Sequence, residues 1–186
     1  MSLRIISGSL RGKKLHTVRG MKVRPTADRL RESIFNILAS RVPQAVVLDL
    51  FAGTGAFGIE AISRGAKYAV FVDSSREALS VIARNIEACA FSNRAKIIKW
   101  DIEKNLNCIK SFNPAFNLIF IDPPYNQNII NPSLLNLFKS GSLASGAWVV
   151  LEHAAAEPLQ LEPGTFELED QRKYGKTLVS FLSYVV

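Results

Sequence analysis

Val47-Leu48-Asp49-Leu50-Phe51-Ala52-Gly53-Thr54-Gly55-Ala56-Phe57-Gly58 passes from an apolar run of strand length through a glycine-rich turn into a helical stretch. The turn reads G-x-G-x-x-G with a strand before it and a helix after it, the context in which that spacing has physical meaning. Glycines let the backbone turn tightly and approach a ligand closely, and a helix N-terminus offers unpaired N–H groups. Asp73 lies 20 residues beyond Gly53, at the end of the next apolar run, where a carboxylate can accept both hydroxyl hydrogens of a ribose. The segment therefore predicts an α/β fold holding a nucleoside-containing cofactor.

The acids decide which cofactor. A dinucleotide brings an anionic pyrophosphate to this loop, whereas S-adenosylmethionine brings a cationic sulfonium and an ammonium group. Asp49 favours the cation, and no lysine or arginine within Asp49–Ile62 would offset a pyrophosphate. Asp101, in Lys99-Trp100-Asp101, reads either as an acceptor for the adenine amino group or as the N-cap of a helix over Ile102–Ile109.

Outward from the turn, apolar runs alternate with amphipathic stretches from Val46 onward, the signature of a parallel sheet flanked by helices. Strands are expected at Ala45–Phe51, Tyr68–Val72, Ala95–Trp100, Phe116–Ile121 and Trp148–Glu152, with helices near Phe57–Arg64, Arg76–Ala90 and Pro132–Lys139. Extended runs at Thr165–Asp170, Arg172–Gly175 and Thr177–Val186, turning through Tyr174-Gly175-Lys176, predict an antiparallel hairpin that closes the sheet. Upstream, Arg4–Ser7 and Lys13–Val18 flank Gly8-Ser9-Leu10-Arg11-Gly12 and suggest a small basic hairpin. Pro25-Thr26 then supplies a stop and an N-cap for a helix from Ala27 to Ser40, with Leu30, Ile34, Ile37 and Leu38 on one face. Pro43 divides the chain into an N-terminal extension, residues 1–41, and a main domain, residues 42–186.

A second chemical motif ends the fourth expected strand: Leu118-Ile119-Phe120-Ile121-Asp122-Pro123-Pro124-Tyr125. Two prolines fix φ and remove two donors, so the Pro123 carbonyl and the Asp122 carboxylate can serve as acceptors without competing N–H groups. Tyr125 supplies a stacking face. A planar aromatic amine is a poor nucleophile because its lone pair is delocalised into the ring. Two acceptors gripping its hydrogens favour a pyramidal nitrogen, whose lone pair can attack a methyl group in line and displace S-adenosylhomocysteine. The base must be unstacked to reach such a pocket.

Charge points the same way. Residues 1–41 hold ten of the 23 basic residues, Arg4, Arg11, Lys13, Lys14, Arg19, Lys22, Arg24, Arg29, Arg31 and Arg41, against only Asp28 and Glu32. That is +8 in a chain whose total is +7, a cationic face suited to phosphates. No run approaches the roughly 20 apolar residues of a membrane span. Cys89 and Cys108 are too few for a disulfide framework, and His16 and His153 lack partners at metal-ligand spacing. A cytoplasmic protein with no metal is expected, and His153, after Leu151-Glu152 at a strand end, reads as a core residue or a binding contact.

Asp49-Leu50-Phe51-Ala52-Gly53-Thr54-Gly55 together with Asp122-Pro123-Pro124-Tyr125 resembles the Rossmann-like class I S-adenosylmethionine-dependent amino-methyltransferases. Arg4-Ile5-Ile6-Ser7-Gly8, Arg11-Gly12, Arg24-Pro25-Thr26, Asp28-Arg29, Arg31-Glu32, Phe35-Asn36, Gly58-Ile59-Glu60-Ala61 and Ser63-Arg64-Gly65-Ala66 narrow the match to the bacterial RsmD family, the small-subunit (16S) ribosomal RNA guanine-N2-methyltransferases. The resemblance covers nearly the whole chain. It implies a seven-stranded sheet, S-adenosylmethionine as donor, and one guanine of an assembled or assembling small subunit as acceptor, with the protein acting as a monomer. It puts the cofactor around Asp49, Phe51, Gly53, Thr54, Gly55, Asp73, Ser74, Asp101 and Ile102, with Arg24 and Thr26 in a segment covering that pocket. It puts the guanine amine at Asp122, Pro123, Pro124 and Tyr125, and RNA along Arg4, Arg11, Lys13, Lys14 and Arg29. Thr54 stands where the family commonly has serine.

Three other readings stay open on the sequence. A nicotinamide-dependent oxidoreductase shares the glycine turn and Asp73 but leaves Asp-Pro-Pro-Tyr unexplained. An amino-methyltransferase acting on DNA adenine or on a protein glutamine uses related motifs, although Asp122 stands where the glutamine enzymes typically carry Asn. A noncatalytic RNA-binding protein could retain the fold, although the intact Asp122, prolines and Tyr125 argue against it.

Overall fold

The computed structural model describes residues 2–18, 20, 25–125 and 127–186, with the side chains of residues 25–27 left aside. The order is α1 (Pro25–Ile37), β1 (Val46–Leu50), α2 (Ala56–Ser63), β2 (Tyr68–Asp73), α3 (Arg76–Ala88), β3 (Ala95–Lys99), β4 (Phe116–Ile121), α4 (Ile130–Lys139), β5 (Leu143–Ala154), β6 (Phe166–Tyr174) and β7 (Thr177–Tyr184). The sheet runs β3-β2-β1-β4-β5-β7-β6. β1 to β5 pair in parallel, while β7 is antiparallel to both β5 and β6. This is the expected seven-stranded, mostly parallel sheet with an antiparallel hairpin at the end.

Continuous apolar character in β1 follows from burial on both faces, and all five of its residues are buried. One face packs against α1, α2 and α3 through Ile34, Phe35, Leu38, Ile59, Ile62, Phe71, Ile82 and Phe120. The other packs against α4 and the 100–112 segment through Leu48, Leu50, Val72, Ile109, Ile119, Leu134 and Leu137. Phe120 lies between Phe35 and Phe57, with ring centroids at 5.4 and 5.0 Å, so α1 is built into the core beneath the end of β4.

Several expectations change in detail. The N-terminal hairpin forms around an Arg4–Lys14 bridge, with the N–H groups of Ile5, Gly12 and Leu15 donating to the carbonyls of Lys13, Ile5 and Leu3, but other donors of the segment turn to α2. Ile6 and Ser7 donate their N–H groups to Glu60, at 2.7 and 2.9 Å, and Ser9 donates to the Ser63 carbonyl at 2.8 Å. The first helix begins at Pro25, where a missing N–H costs nothing, so Thr26 lies inside the first turn rather than capping it. No α-helix follows Asp101; only a short 3₁₀ turn forms at Asn107–Ile109. Strand β5 is longer than expected, Leu143–Ala154 against Trp148–Glu152, and β6 is one strand carrying a bulge between Leu168 and Asp170.

Candidate active site

Between β1 and α2 the chain enters the left-handed region three times in five residues, at Phe51 (φ 56°), Gly53 (φ 55°) and Gly55 (φ 75°). Phe51 is the costly one, since a side chain in that conformation is strained by about 1–2 kcal/mol. The glycines divide the work. A Cβ on Gly58 would lie 2.3 Å from the Phe71 ring and 3.2 Å from the Asp49 carboxylate, so Gly58 exists for packing. A Cβ on Gly53 would meet nothing nearer than the Phe51 carbonyl at 3.8 Å, and Gly53 therefore presents open backbone to a ligand.

Asp73 holds this turn in place. One carboxylate oxygen accepts the Gly53 N–H at 2.9 Å and the other accepts the Ser75 N–H at 2.8 Å. A carboxylate has about four lone-pair sites, which leaves acceptor capacity for two ribose hydroxyls. Beyond it, past the ends of β2 and β3, a cavity of about 410 Å³ is lined by Ser74, Lys99, Trp100, Asp101, Lys104 and Asn105. Ser74 and Asp101 are thus brought together there. Asp101 also pairs with Lys104 at 3.2 Å, and with no helix following it the capping alternative falls away. Ile102 turns its side chain into the core instead of the cavity. Thr54 is buried, its carbonyl accepting the Asn85 amide at 2.9 Å.

Asp49 is buried beneath the loop and accepts the Gly58 N–H at 2.9 Å. Burial pushes its carboxyl up to about 8; the Gly58 bond works against that and the nearby Asp73 charge adds to it. Between the ordinary carboxylate range and about pH 8 the folded protein keeps this proton while the unfolded chain has lost it. Stability of the ligand-free protein therefore falls as pH rises through that window, by about 1.4 kcal/mol per pH unit for this one group. Asp49→Asn is expected to flatten the slope, read from urea midpoints between pH 5 and 8. An unchanged slope would mean that Asp49 ionises freely.

At the end of β4, Asp122 follows Ile121, which is paired with Leu50 of β1 and Leu151 of β5. Alternation along the strands puts Asp49, Asp122 and Glu152 on the face lined lower down by Val47, Phe120 and Val150. Asp122 meets solvent at the mouth of the site, yet protein crowds it closely enough that desolvation raises its carboxyl well above the usual range, helped by the charges of Glu152 and Asp49. Pro123 is buried, while Tyr125 is 41% exposed. The Tyr125 hydroxyl donates to Glu152 Oε1 and lies 3.3 Å from Thr177 Oγ1. Burial and the Glu152 bond both raise the phenol, and burial also raises the Glu152 carboxyl. Glu152 and Thr177 were not singled out as site residues by the sequence; the visible signal was an acid ending the apolar run Trp148–Leu151, beside the register of Asp122.

The cationic face is smaller than the sequence suggests. Arg4, Arg11, Lys14 and Arg29 are exposed and Lys13 is half-buried, but Arg31 is buried among Asp28 at 3.1 Å, Glu60 at 4.0 Å and the Arg4 carbonyl at 2.7 Å. Arg41 stacks over Trp148, 3.8 Å from its ring centroid. Arg31 is consumed structurally, because a guanidinium can be buried only with partners, whereas Arg41 stays exposed while it covers the Trp148 ring. Arg24, with Arg19 and Lys22, lies outside the described residues, as does the side chain of Thr26. His153 is a core residue: Nδ1 faces the carbonyls of Ala154 and Glu157 at 3.1 and 3.2 Å, and Nε2 the Ser180 hydroxyl at 2.9 Å. Among the described residues no three His, Cys, Asp or Glu side chains gather as a metal site, and no helix is long and apolar enough to cross a membrane.

A family model described as conserved hypothetical protein 95 matches residues 3–183. The chain is 30% identical to ribosomal RNA small subunit methyltransferase D of Escherichia coli over 174 residues, 94% of this chain and 86% of that one. It is 31% identical to the protein of the same name from Haemophilus influenzae over 185 residues, 98% and 93% of the two chains. Among solved structures, Escherichia coli yhhF superposes with a TM-score of 0.87 at 27% identity, covering 100% of this chain and 99% of that one.

Proposed function

Since the chain belongs to the RsmD family of S-adenosylmethionine-dependent ribosomal RNA methyltransferases, we propose that it methylates the exocyclic N2 amino group of a guanine in small-subunit ribosomal RNA, at Asp122-Pro123-Pro124-Tyr125. The observation that carries this reading is the adjacency of β1 and β4, which puts the glycine turn and the Asp-Pro-Pro-Tyr segment side by side where the strand order reverses. Ligands of open α/β sheets bind at that point, outside the carboxyl ends of the strands.

The residues present suit S-adenosylmethionine. Gly53 leaves room for close approach, Asp73 retains acceptors for the ribose, the cavity beside Ser74 and Asp101 has the size for adenine, and Asp49 answers positive charge. When bound, the cofactor supplies an electrophilic methyl group and leaves as S-adenosylhomocysteine. The protein's own part lies in the amine. The Asp122 carboxylate and the Pro123 carbonyl accept its two hydrogens, Tyr125 stacks on the base, and the freed lone pair points along the attack line. The attacking nitrogen becomes acidic only as the N–C bond forms, so its proton leaves late, to Asp122 or to solvent. Asp122 must be ionised to act as an acceptor. Because its carboxyl is raised, activity is lost as pH falls through a range higher than that of an ordinary carboxylate.

Residues 1–41 form the RNA-facing extension of a 42–186 catalytic domain in this reading, acting as a cytoplasmic monomer on an assembled or assembling subunit. Neutralising Arg11, Lys13 and Lys14 together should weaken RNA binding and reduce the slope of log affinity against log salt by about 2–3. An unchanged slope in a filter-binding titration would move the RNA surface elsewhere. The function itself is tested by methyl transfer to small subunits and to naked RNA from a strain lacking the enzyme, with the modified nucleotide mapped. DNA and protein acceptors run alongside, and a label that goes only to these would overturn the proposal.

A further inference from the structure

Three carboxylates, Asp49, Asp122 and Glu152, share one face of the sheet, and no cation among the described residues pairs with them. Crowding unpaired acids into a partly desolvated site is unfavourable, and a ligand rich in donors offsets that cost. Asp49 lies under the glycine turn, where cofactor charge meets it. Asp122 and Glu152 instead follow the paired residues Ile121 and Leu151 on neighbouring strands, which run about 4.8 Å apart, so two acceptors stand side by side. Tyr125 donates to Glu152 Oε1, and among the described residues Oε2 receives no hydrogen bond.

The edges of possible acceptors differ in what they offer such a pair. Guanine presents N1–H directly beside its N2 amine. Adenine and cytosine present an amine beside a ring-nitrogen lone pair, and a glutamine side chain presents one beside a carbonyl oxygen. A lone pair set against a carboxylate is repelled, so only the guanine edge satisfies both acids. We infer that Glu152 is a specificity-determining residue that accepts the N1–H of the target guanine while Asp122 and the Pro123 carbonyl hold its N2 amine. The assignment rests on the guanine-amine reading of the site.

The test uses small-subunit RNA carrying, at the mapped position, either guanine or 2-aminopurine, which keeps the 2-amino group but has a lone pair at N1. Wild-type protein should prefer guanine by at least about 10²-fold in kcat/KM, since a site built around an N–H rejects analogues lacking it. Glu152→Gln, whose amide can turn its NH₂ toward that lone pair, should cut the preference to below about tenfold, and Glu152→Asp should retain most of it. The difference in intrinsic reactivity of the two amines is common to all three proteins, so the change in preference reports on position 152 alone. S-adenosylmethionine binding by each variant checks that it is folded. Equal use of both bases by wild type, or a Glu152→Gln protein with undiminished preference, overturns the assignment. Failure of wild type on guanine RNA, with transfer to another acceptor, overturns the underlying reading instead.

Discussion

Replacing Asp122 with alanine is expected to lower kcat for methyl transfer by about 10²–10⁴-fold, the range for a group that acts on the reacting atoms in the transition state, while S-adenosylmethionine affinity should stay within several-fold. The separation follows from position. Asp122 ends β4, whereas the carboxylate that holds the glycine turn is Asp73 on the far side of β1, and removing Asp122 disturbs neither of the Asp73 hydrogen bonds. Asp122→Asn keeps one acceptor oxygen but introduces a donor toward the amine, so it should recover only part of the loss. It should also abolish the acid limb that the raised carboxyl imposes on the pH profile. Single-turnover kinetics on saturating cofactor, with affinity measured by calorimetry, read both quantities. An alanine variant turning over at a comparable rate would remove Asp122 from the chemistry, and one that failed to bind cofactor would make it part of the cofactor site.

The second large effect is on stability. Glu60 is fully buried in α2 and accepts four contacts: the N–H groups of Ile6 and Ser7, Arg64 at 2.6 Å, and Arg31 at 4.0 Å. Glu60→Ala leaves two backbone donors without a partner, takes the 2.6 Å partner from Arg64 and removes one of the two carboxylates beside the buried Arg31, a loss of about 3–5 kcal/mol. For a chain of this length that corresponds to a fall in Tm of roughly 6–20 °C. The N-terminal segment should become cleavable by protease before the rest of the fold, because Glu60 is its main anchor to α2, with Ser63 supplying the neighbouring contacts to Ser9 and Leu10. A variant that lost under 2 °C, a small part of that range, with its N-terminus still protected, would show the network to be dispensable.

These two residues differ in how far the sequence reveals them. The place of Asp122 can be read directly, because an apolar run stopped by an acid and two prolines marks a strand end followed by a rigid turn. Glu60 reads only as part of a helix and of a family pattern. Asp49, Gly53 and Asp73 are legible for the same reason as Asp122, since a tight turn, a positive φ and a strand end are demands on residues within a few positions of one another. Asp101 reads two ways, and the absence of an α-helix directly after it removes the capping reading alone. The ten basic residues of the first 41 read as one cationic face, yet Arg31 is buried among Asp28 and Glu60 and Arg41, though exposed, lies over the Trp148 ring.

The sequence by itself determined the alternating α/β order, the glycine turn with its acids, and the strand end at Asp122-Pro123-Pro124, because backbone conformation and hydrophobic period are local properties. Only the tertiary structure decided that Glu152 stands beside Asp122 and Tyr125, that Glu60 anchors the N-terminal segment, and that Asn85 ties His16 to Thr54 of the glycine turn. Each of these is a polar group whose partner lies about thirty or more residues away, or is brought near by strand register. What a buried carboxylate or amide does is fixed by which donors the fold carries to it, and that is a property of register and packing rather than of its neighbours in the chain.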